Sequence, residues 1–466
     1  STGGSITDAS GGNRLMIPGA RFVAQEGSRL FLDAILDGGW QDTCSTAGAL
    51  QADCINLAGG STEGVTLVTL NTTPVADGGA YSSKGIALID VSGGTSDASH
   101  FVLDPNSPNY QDADDMLFAG IRASELFSYS LFYDESTQTH RLVGVPTAPF
   151  LTLGVLPAAA QSLWRVVDQA GSARLAELRQ AKAGAGGGFW FKYVDSDTER
   201  DATSNVTLFG QTASAAADYD QSSRGYLFGA DFVGNEGDSA YAFGVSVGDL
   251  DSKVRLTAGS VDVDMMALAI NVYGSYRSGG FFLDMSGGGY SGDLEGDFFV
   301  GSLSTALDGK INAFGARADT GWRMGLGNSF AVEPMVGVIF MRSGLSDINH
   351  LPGSAVNGMR FDAANSFRGG AGARGSFESA FAGMKLGLSL TGRVWQEFDG
   401  EARSSMRTRV DSLPYTSEFD GTFTELSAAI DLSALEGALS GYLEFGSQSG
   451  DDYDSTTGTL GVRYNW

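Results

Sequence analysis

From residue 187 onward the chain alternates in polarity with a period of two. In Ser455–Trp466, Leu460, Val462, Tyr464 and Trp466 share one face, and Thr459, Gly461, Arg463 and Asn465 share the other. Successive side chains of an extended strand point to opposite sides, so each such stretch predicts a strand with two chemically different faces. The pattern recurs with Phe189, Phe191 and Tyr193 against Trp190 and Lys192, and with Tyr226, Phe228, Ala230 and Phe232 against Gly229 and Asp231. It also sets Met266, Leu268, Ile270 and Val272 against Ala269, Asn271 and Tyr273, and Leu386, Leu388 and Leu390 against Lys385, Ser389 and Arg393. Twelve segments of this kind begin near residues 187, 222, 239, 261, 281, 311, 330, 366, 385, 423, 440 and 456. That is about 23 residues per strand and connection, and a strand needs roughly 9–11 to cross a bilayer. Short connections (Gly234–Gly237, Ser278–Gly280, Gly325–Asn328, Leu435–Gly437) alternate with long polar ones (Ser196–Ser222, Gly248–Gly259, Gly287–Lys310, Ser343–Met359). Short turns at one end and long loops at the other characterise outer-membrane barrels.

The apolar face is either the core of a soluble sandwich or the lipid face of a barrel. Three features favour the barrel. Glycines recur on the polar face (Gly229, Gly244, Gly315, Gly370, Gly372, Gly461), suggesting a smooth inner wall. Aromatics cluster at strand ends, as in an interfacial girdle. Ionisable residues of both signs fall on the polar face, giving a lumen wall of Lys192, Asp231, Arg317, Glu333, Arg374, Arg393, Glu397, Glu444 and Arg463. Closure also satisfies every backbone group in lipid. A twelve-stranded antiparallel transmembrane barrel over 187–466 is the expectation.

Ahead of it, residues 157–182 are rich in helix formers, with Pro157 suited to a first helical position and glycines after Lys182. Arg174 lies opposite Arg165 and Arg179 on a helical wheel, so the charge is not confined to one side. A helix about 10–12 Å across fits a lumen of this size. Trp164, Arg165, Arg174, Arg179 and Lys182 are therefore the expected pore-plug residues, within a linker spanning 151–186. Residues 1–150 read as short strands separated by Gly, Asn and Ser turns, solenoid-like but without a strict period.

Composition narrows the class. Glycine supplies 66 of 466 residues, about twice the usual share, with 10 Pro and 2 Cys. The net charge of -26 argues against a nucleic-acid partner, and the 42% hydrophobic content argues against a disordered acidic tail. No run of 18 apolar residues is present, so a transmembrane helix is not expected. Segment by segment the charge is -11 for 1–150, +2 for 151–186 and -17 for 187–466, which suggests a basic helix in an acidic lumen. Ser1 follows no leader-like stretch, so any signal peptide is expected to have been removed or to lie outside this sequence. Cys44 and Cys54 are close enough for a disulfide, pointing to an oxidising compartment, and have no neighbours that would complete a metal site.

Catalytic motifs are weak. Gly244-Val-Ser-Val-Gly248 matches a nucleophile elbow, but Ser246 sits in an alternating strand, and the chain's three histidines are His100, His140 and His350. Gly370-Ala-Gly-Ala-Arg-Gly375 lacks the helix that a dinucleotide fingerprint needs. His350 beside Asp347, and the acid pairs Asp114–Asp115 and Asp451–Asp452, read as solvated loops. No cofactor and no metal are implied. Two functional readings of such a barrel are a hydrolase or protease, which histidine poverty disfavours, and a diffusion porin, which needs no linker ahead of its first strand.

Several motifs in order resemble the type V autotransporters, self-secreting proteins of Gram-negative outer membranes. Arg224-Gly-Tyr-Leu-Phe-Gly-Ala-Asp231 is similar to that family's second strand, and Glu333-Pro334 with Val336-Gly-Val338 to its middle strand. Arg393-Val-Trp-Gln-Glu-Phe-Asp-Gly-Glu401 is similar to a late strand, and Tyr464-Asn-Trp466 to the terminal assembly signal. Residues 53–143, with Leu57-Ala-Gly-Gly60, Gly85 through Gly94 and Phe101-Val-Leu103, resemble the pertactin-like last coils of a right-handed β-helical passenger, a segment that assists passenger folding. The resemblance implies a barrel inserted by the barrel assembly machinery with periplasmic chaperones, in contact with outer-membrane lipid and lipopolysaccharide. It also implies that the protein's own passenger crosses C-terminus first and leaves the linker in the pore. One departure is that 151–186 contain no Asn, so cleavage by Asn cyclisation in the linker is not expected.

Overall fold

The computed structural model describes residues 12–44, 50–73, 79–114, 116–180, 186–256, 260–351, 356–381, 383–419, 421–434 and 437–466. Lys182, Gly184, Asp115 and most of the Leu435–Gly437 connection lie outside the described residues. Twelve long antiparallel strands form one sheet, to which the short strand Met324–Leu326 is added. They are β1 (Gly186–Arg200), β2 (Tyr219–Glu236), β3 (Ser239–Leu256), β4 (Val261–Ser278), β5 (Phe281–Val300) and β6 (Leu303–Trp322), then β7 (Phe330–Leu345), β8 (Ala364–Phe381), β9 (Met384–Glu397), β10 (Gly421–Ala434), β11 (Leu439–Gly450) and β12 (Tyr453–Asn465). Each pairs with its sequence neighbour, and β1 pairs with β12 with Phe189 opposite Tyr464, which closes the barrel. Closure gives every strand a neighbour on both sides, the condition for a sheet to stand in lipid.

The strands are longer than the sequence pattern suggests. β6 begins at Leu303 rather than near 311, and most of the expected loops 196–222, 248–259 and 287–310 are strand. The reason is that the two faces exchange polarity part-way up the barrel. Low on β5, Phe281 and Met285 face outward and Asp284 is buried inside. Above Gly287–Gly289 the inward residues are Tyr290, Leu294 and Phe298, all buried, and the outward ones are Ser291, Asp293, Glu295 and Asp297. On β3, likewise, outward Val245 and Val247 give way to Asp249 and Asp251, while Leu250 and Val254 point in. The lower half is thus a membrane barrel with a polar lumen. The upper half is a water-facing barrel with an apolar core.

That core receives a helix. α1 (Ala148–Thr152) runs through a 3-10 turn (Leu153–Val155) into α2 (Leu156–Gln180). Helix therefore starts at Ala148, with Pro149 in its first turn, rather than at Pro157. Phe150, Leu153, Leu156, Leu163, Val166 and Val167 pack against Leu227, Leu250, Val254, Met265, Leu294 and Phe298 of the upper wall. Within Ala148–Arg179 one 18-residue window has a mean hydropathy of 1.3, enough to pass for a membrane span despite lacking an uninterrupted apolar run, yet 94% of that window is buried inside the protein. Its apolarity matches the barrel's upper interior.

Residues 12–146 form a curled sheet of mixed parallel and antiparallel strands at the long-loop end. Arg14–Met16, Cys54–Asn56 and Ile86–Asp90 pair in parallel, as do Arg21–Val23 with Ser61–Glu63, and Arg29–Ile35 with Thr66–Thr73 and then Phe101–Leu103. The hairpin Phe127–Asp134/Thr139–Pro146 closes the series by pairing antiparallel to Ile86–Asp90. Leu32, Leu57, Val68, Leu88 and Ile89 form a separate small core. Cys44 and Cys54 are disulfide-bonded, Cα–Cα 5.5 Å, and packed on Ala87. Beneath this body the barrel's loops make a five-stranded sheet from Thr203–Leu208, Gln211–Ala216, Val356–Phe361, Glu401–Thr408 and Ser412–Glu418. The body meets the long-loop end of the barrel where Phe132 stacks on Phe209 at 5.5 Å, Ser83 N–H donates to Asp411 at 3.1 Å, Thr408 Oγ1 donates to the Tyr81 carbonyl at 2.9 Å and Ser302 N–H donates to Glu125 at 2.9 Å.

Candidate functional site: the occupied lumen

α2 changes character as it descends. Its upper half is seated by shape. Trp164 donates its indole N–H to the Gly288 carbonyl at 3.0 Å, and its ring fills the space that a side chain at Gly315 would need. Val166 fills the space at Gly225 in the same way. The inward glycines are therefore sockets for large side chains, not a smooth wall. Gly229 takes Trp190, Gly244 takes Tyr273, Gly370 takes Trp395, Gly372 takes Arg393 and Gly461 takes Lys192. Wall groups also reach the helix backbone. Tyr290 OH donates to the Ala160 carbonyl at 2.6 Å, Gln221 to Ala159 at 3.0 Å and Ser343 to Pro157 at 2.8 Å.

The lower half is held by charge. Arg174 donates to both oxygens of Asp231 at 2.7 and 2.9 Å, and to Glu177 at 2.8 Å. Glu177 also meets Lys192 at 2.7 Å and Arg463 at 3.4 Å. Arg179 pairs with Asp284, lies 3.5 Å from Glu333, and stands over the Phe282 ring at 4.5 Å. On another side Asp168 accepts from Arg317 at 2.9 Å, and Arg317 and Arg393 converge on Asp319 at 2.6 and 2.7 Å. Such pairs contribute little net stability compared with apolar packing, but breaking one by removing a single partner costs about 3–5 kcal/mol. They fix position rather than supply strength.

Every described residue named from the sequence for the lumen wall points inward, including Glu397 (to Ser366 and Arg368, both 2.6 Å), Glu444 (to Tyr442) and Arg374 (to Ser389, 3.0 Å). The wall carries both signs, so the expected acidic lumen around a basic helix is instead a set of matched pairs. The helix itself contributes the acids Asp168 and Glu177. These two and Asp319 were not among the candidates, and they complete the networks together with Asp284, an acid of the inward polar face. Asp319 was legible, since it follows Arg317 by two residues and so shares its face. At the barrel seam Trp466 donates its backbone N–H to the Gly187 carbonyl at 3.1 Å and packs its ring 4.7 Å from Phe189, and Tyr464 pairs with both Phe189 and Leu439. Ser246 is buried on the inner face of β3, opposite Gly229. His140 and His100 lie in the 12–146 body, where they hydrogen-bond Ser96 and Thr62.

Residues 189–446, more than half of the chain, match the family of autotransporter beta-domains. No curated protein matches the chain. Among solved structures it is similar to the beta domain of the Bordetella autotransporter BrkA (19% identity, 60% of this chain and 99% of that one, TM-score 0.47). It is also similar to the transport unit of AIDA-I from Escherichia coli (12%, 59% and 89%, TM-score 0.43) and the translocator domain of NalP from Neisseria meningitidis (13%, 64% and 96%, TM-score 0.40). A closed twelve-stranded barrel filled by a helix, carrying that family's signature over most of its strands, places the chain among the autotransporters, as an outer-membrane translocator that secretes a passenger.

Proposed function

We propose that the chain secretes and then anchors its own passenger, with 187–466 as translocator, 151–186 as the linker retained in the pore, and 1–150 as the surface-exposed base of the passenger. The observation that carries this reading is the path of the chain. It leaves the 12–146 body at the long-loop end, enters the barrel as α1 and descends as α2, and resumes as β1 at the short-turn end. A porin has no need of such a helix.

The parallel pairing of the 12–146 strands supports a right-handed β-helix whose last coils are capped by the 127–146 hairpin. A solenoid grows by adding coils to an existing end. This base, emerging first, serves as the template on which upstream coils fold, in the manner of the pertactin-like autochaperone. Arg14–Met16 and Arg21–Val23 offer an exposed edge for the preceding coil. Tyr464 and Trp466, paired at the seam, are the signal read by the barrel assembly machinery as periplasmic chaperones deliver the chain. The outward apolar band meets lipid and lipopolysaccharide. With no Asn in the linker the passenger stays attached unless another protease acts.

The test inserts an epitope tag at the Gly93–Gly94 turn and follows it on intact cells. Protease should remove the tag while leaving a protected fragment from α1 to Trp466. Deletion of Trp466 should reduce display severalfold by lowering the amount of heat-modifiable barrel. A tag that becomes accessible only after cell lysis would refute the topology.

A further inference from the structure

The helix does not sit centrally in the lumen. Its backbone carbonyls, Trp164 and Val166 are seated on β1 to β7, and Gly171 approaches Asn271 of β4 so closely that a Cβ there would lie 2.9 Å from the amide nitrogen. On the β9–β11 side the helix packs mainly through Ala173 against Ala429 and Tyr442, and two cavities flank that contact. They measure about 70 and 50 Å³ and share Ser172, Arg317, Glu425, Ser427 and Glu444 as walls. Space of that size takes several waters where polar partners are present. Such partners are available. Among the described residues, Asp168 Oδ1, Gln169 Oε1 and Arg374 Nε face this region with no hydrogen-bond partner, and Arg374 has no carboxylate within 4.0 Å. Two residues further down β9 and β10 the wall opens into a mouth of about 600 Å³ at the short-turn end, lined by Gly387, Asp431 and Lys385.

At the other end the space stops at stacked guanidinium groups and rings. Arg165 lies 4.8 Å from the Tyr453 ring centroid and 5.8 Å from that of Phe423, and donates to Gln448 at 3.2 Å and to the Tyr453 hydroxyl. Arg368 covers the other approach to Phe423 at 4.8 Å, and Arg200 bridges Phe419 and Tyr453 at 4.7 and 5.4 Å. Phe423 and Tyr453 are near or at the first residues of β10 and β12, at the long-loop end. Fixed positive charge repels cations and packed rings exclude water. We infer that the occupied barrel retains a water-filled lane for small ions along β9–β11, open to the periplasmic mouth, and that the Arg165–Phe423–Tyr453 cluster, rather than the helix as a whole, makes the barrel ion-tight. The inference stands on lumen geometry and does not depend on the passenger's role.

Arg165 has no ion-pair partner within 4.0 Å among the described residues, so its removal strands no carboxylate. The full chain in a planar lipid bilayer should be nearly silent in potassium chloride, and Arg165→Ala should raise its conductance at least tenfold. Tyr453→Ala should act in the same direction and serves if Arg165→Ala does not yield heat-modifiable protein. In an independent measurement, silver ion, a small thiol-reactive cation, should modify Ser427→Cys at least tenfold faster than Ser246→Cys on the docked wall. Equal silver rates would overturn the lane. Folded Arg165→Ala and Tyr453→Ala proteins as tight as the parent, or a parent that already conducts at their level, would overturn the seal.

Discussion

Replacing Arg174 with Ala tests whether charge pairing holds the lower helix in place. The Arg174 side chain is 1% exposed and is the one cation within 4.0 Å of Asp231 among the described residues, whereas Glu177 keeps Lys192 and Arg463. The variant therefore leaves Asp231 buried with the Tyr273 hydroxyl, at 2.9 Å, as its remaining side-chain donor among the described residues. Stranding a buried carboxylate costs about 3–5 kcal/mol. For a unit of this size that lowers an apparent thermal midpoint by roughly 6–20 °C, at about 2–4 °C per kcal/mol. The comparison is Arg174→Met with Asp231→Leu, which removes both charges and fills both volumes. A pair replaced by apolar groups of similar size is close to neutral, so the double variant should recover to within about 1 kcal/mol of the parent. The assay is thermal loss of the heat-modifiable gel form, paired with hydrogen exchange across 168–179. Arg174→Ala should accelerate exchange in that half of the helix and leave 156–166 protected. If Arg174→Ala melts within about 1 °C of the parent, or if the double variant is no better than the single, position is not set by this pairing.

Three further outcomes follow from other contacts. Gly315→Val places a branched side chain where the Trp164 ring sits, 2.6 Å from a Cβ at that position, and overpacking of this kind costs about 1–3 kcal/mol. It should loosen the upper helix in hydrogen exchange, whereas Gly325→Val, in open space, should not. His140 is buried beside Phe101 and Tyr133, and desolvation, helped by His100, pushes its imidazole down to about 3 from the ordinary 6.5. A base held below its unfolded value stabilises the fold fully above pH 6.5 and loses that contribution as pH falls toward 3. At pH 5 the loss is about 2 kcal/mol, so proteolysis of the 12–146 body should quicken between pH 7 and 5, and His140→Gln should flatten the dependence. The Cys44–Cys54 bond closes a loop with a sequence separation of 10, worth about 2–3 kcal/mol to chain entropy, so Cys44→Ser with Cys54→Ser should sensitise that body to protease while barrel heat-modifiability is unchanged.

How far the fold was legible in the sequence depended on where the lipid boundary fell. Within the membrane band the outward face is apolar and the inward face polar, so Leu460–Trp466 or Met266–Val272 declare strand and face together. Above the band the same strands invert. Tyr290, Leu294 and Phe298 then face inward between acids, and a reader tracking one outward apolar face takes Gly287–Lys310 for a loop. The start of the helix was hidden for a related reason. Phe150, Leu153 and Leu156 are apolar around Pro149 and Gly154, which reads as an interrupted run until an apolar barrel interior surrounds it. Inward glycines were visible, but their purpose was not, because the side chain that fills each one comes from an adjacent strand or the helix. Parallel pairing in residues 12–146 joins strands far apart in sequence, and no local pattern announces it.

The most direct test of the central claim, that the helix threads the closed barrel, is a disulfide between Ala173→Cys on α2 and Ala429→Cys on β10, which pack together with Tyr442. Mild oxidation of intact cells should yield a single cross-linked peptide joining α2 to β10 in mass spectra. The cross-link should form without loss of the heat-modifiable band. Failure to cross-link, with Ala173→Cys alkylated as fast as an exposed thiol, would contradict a helix held inside the barrel.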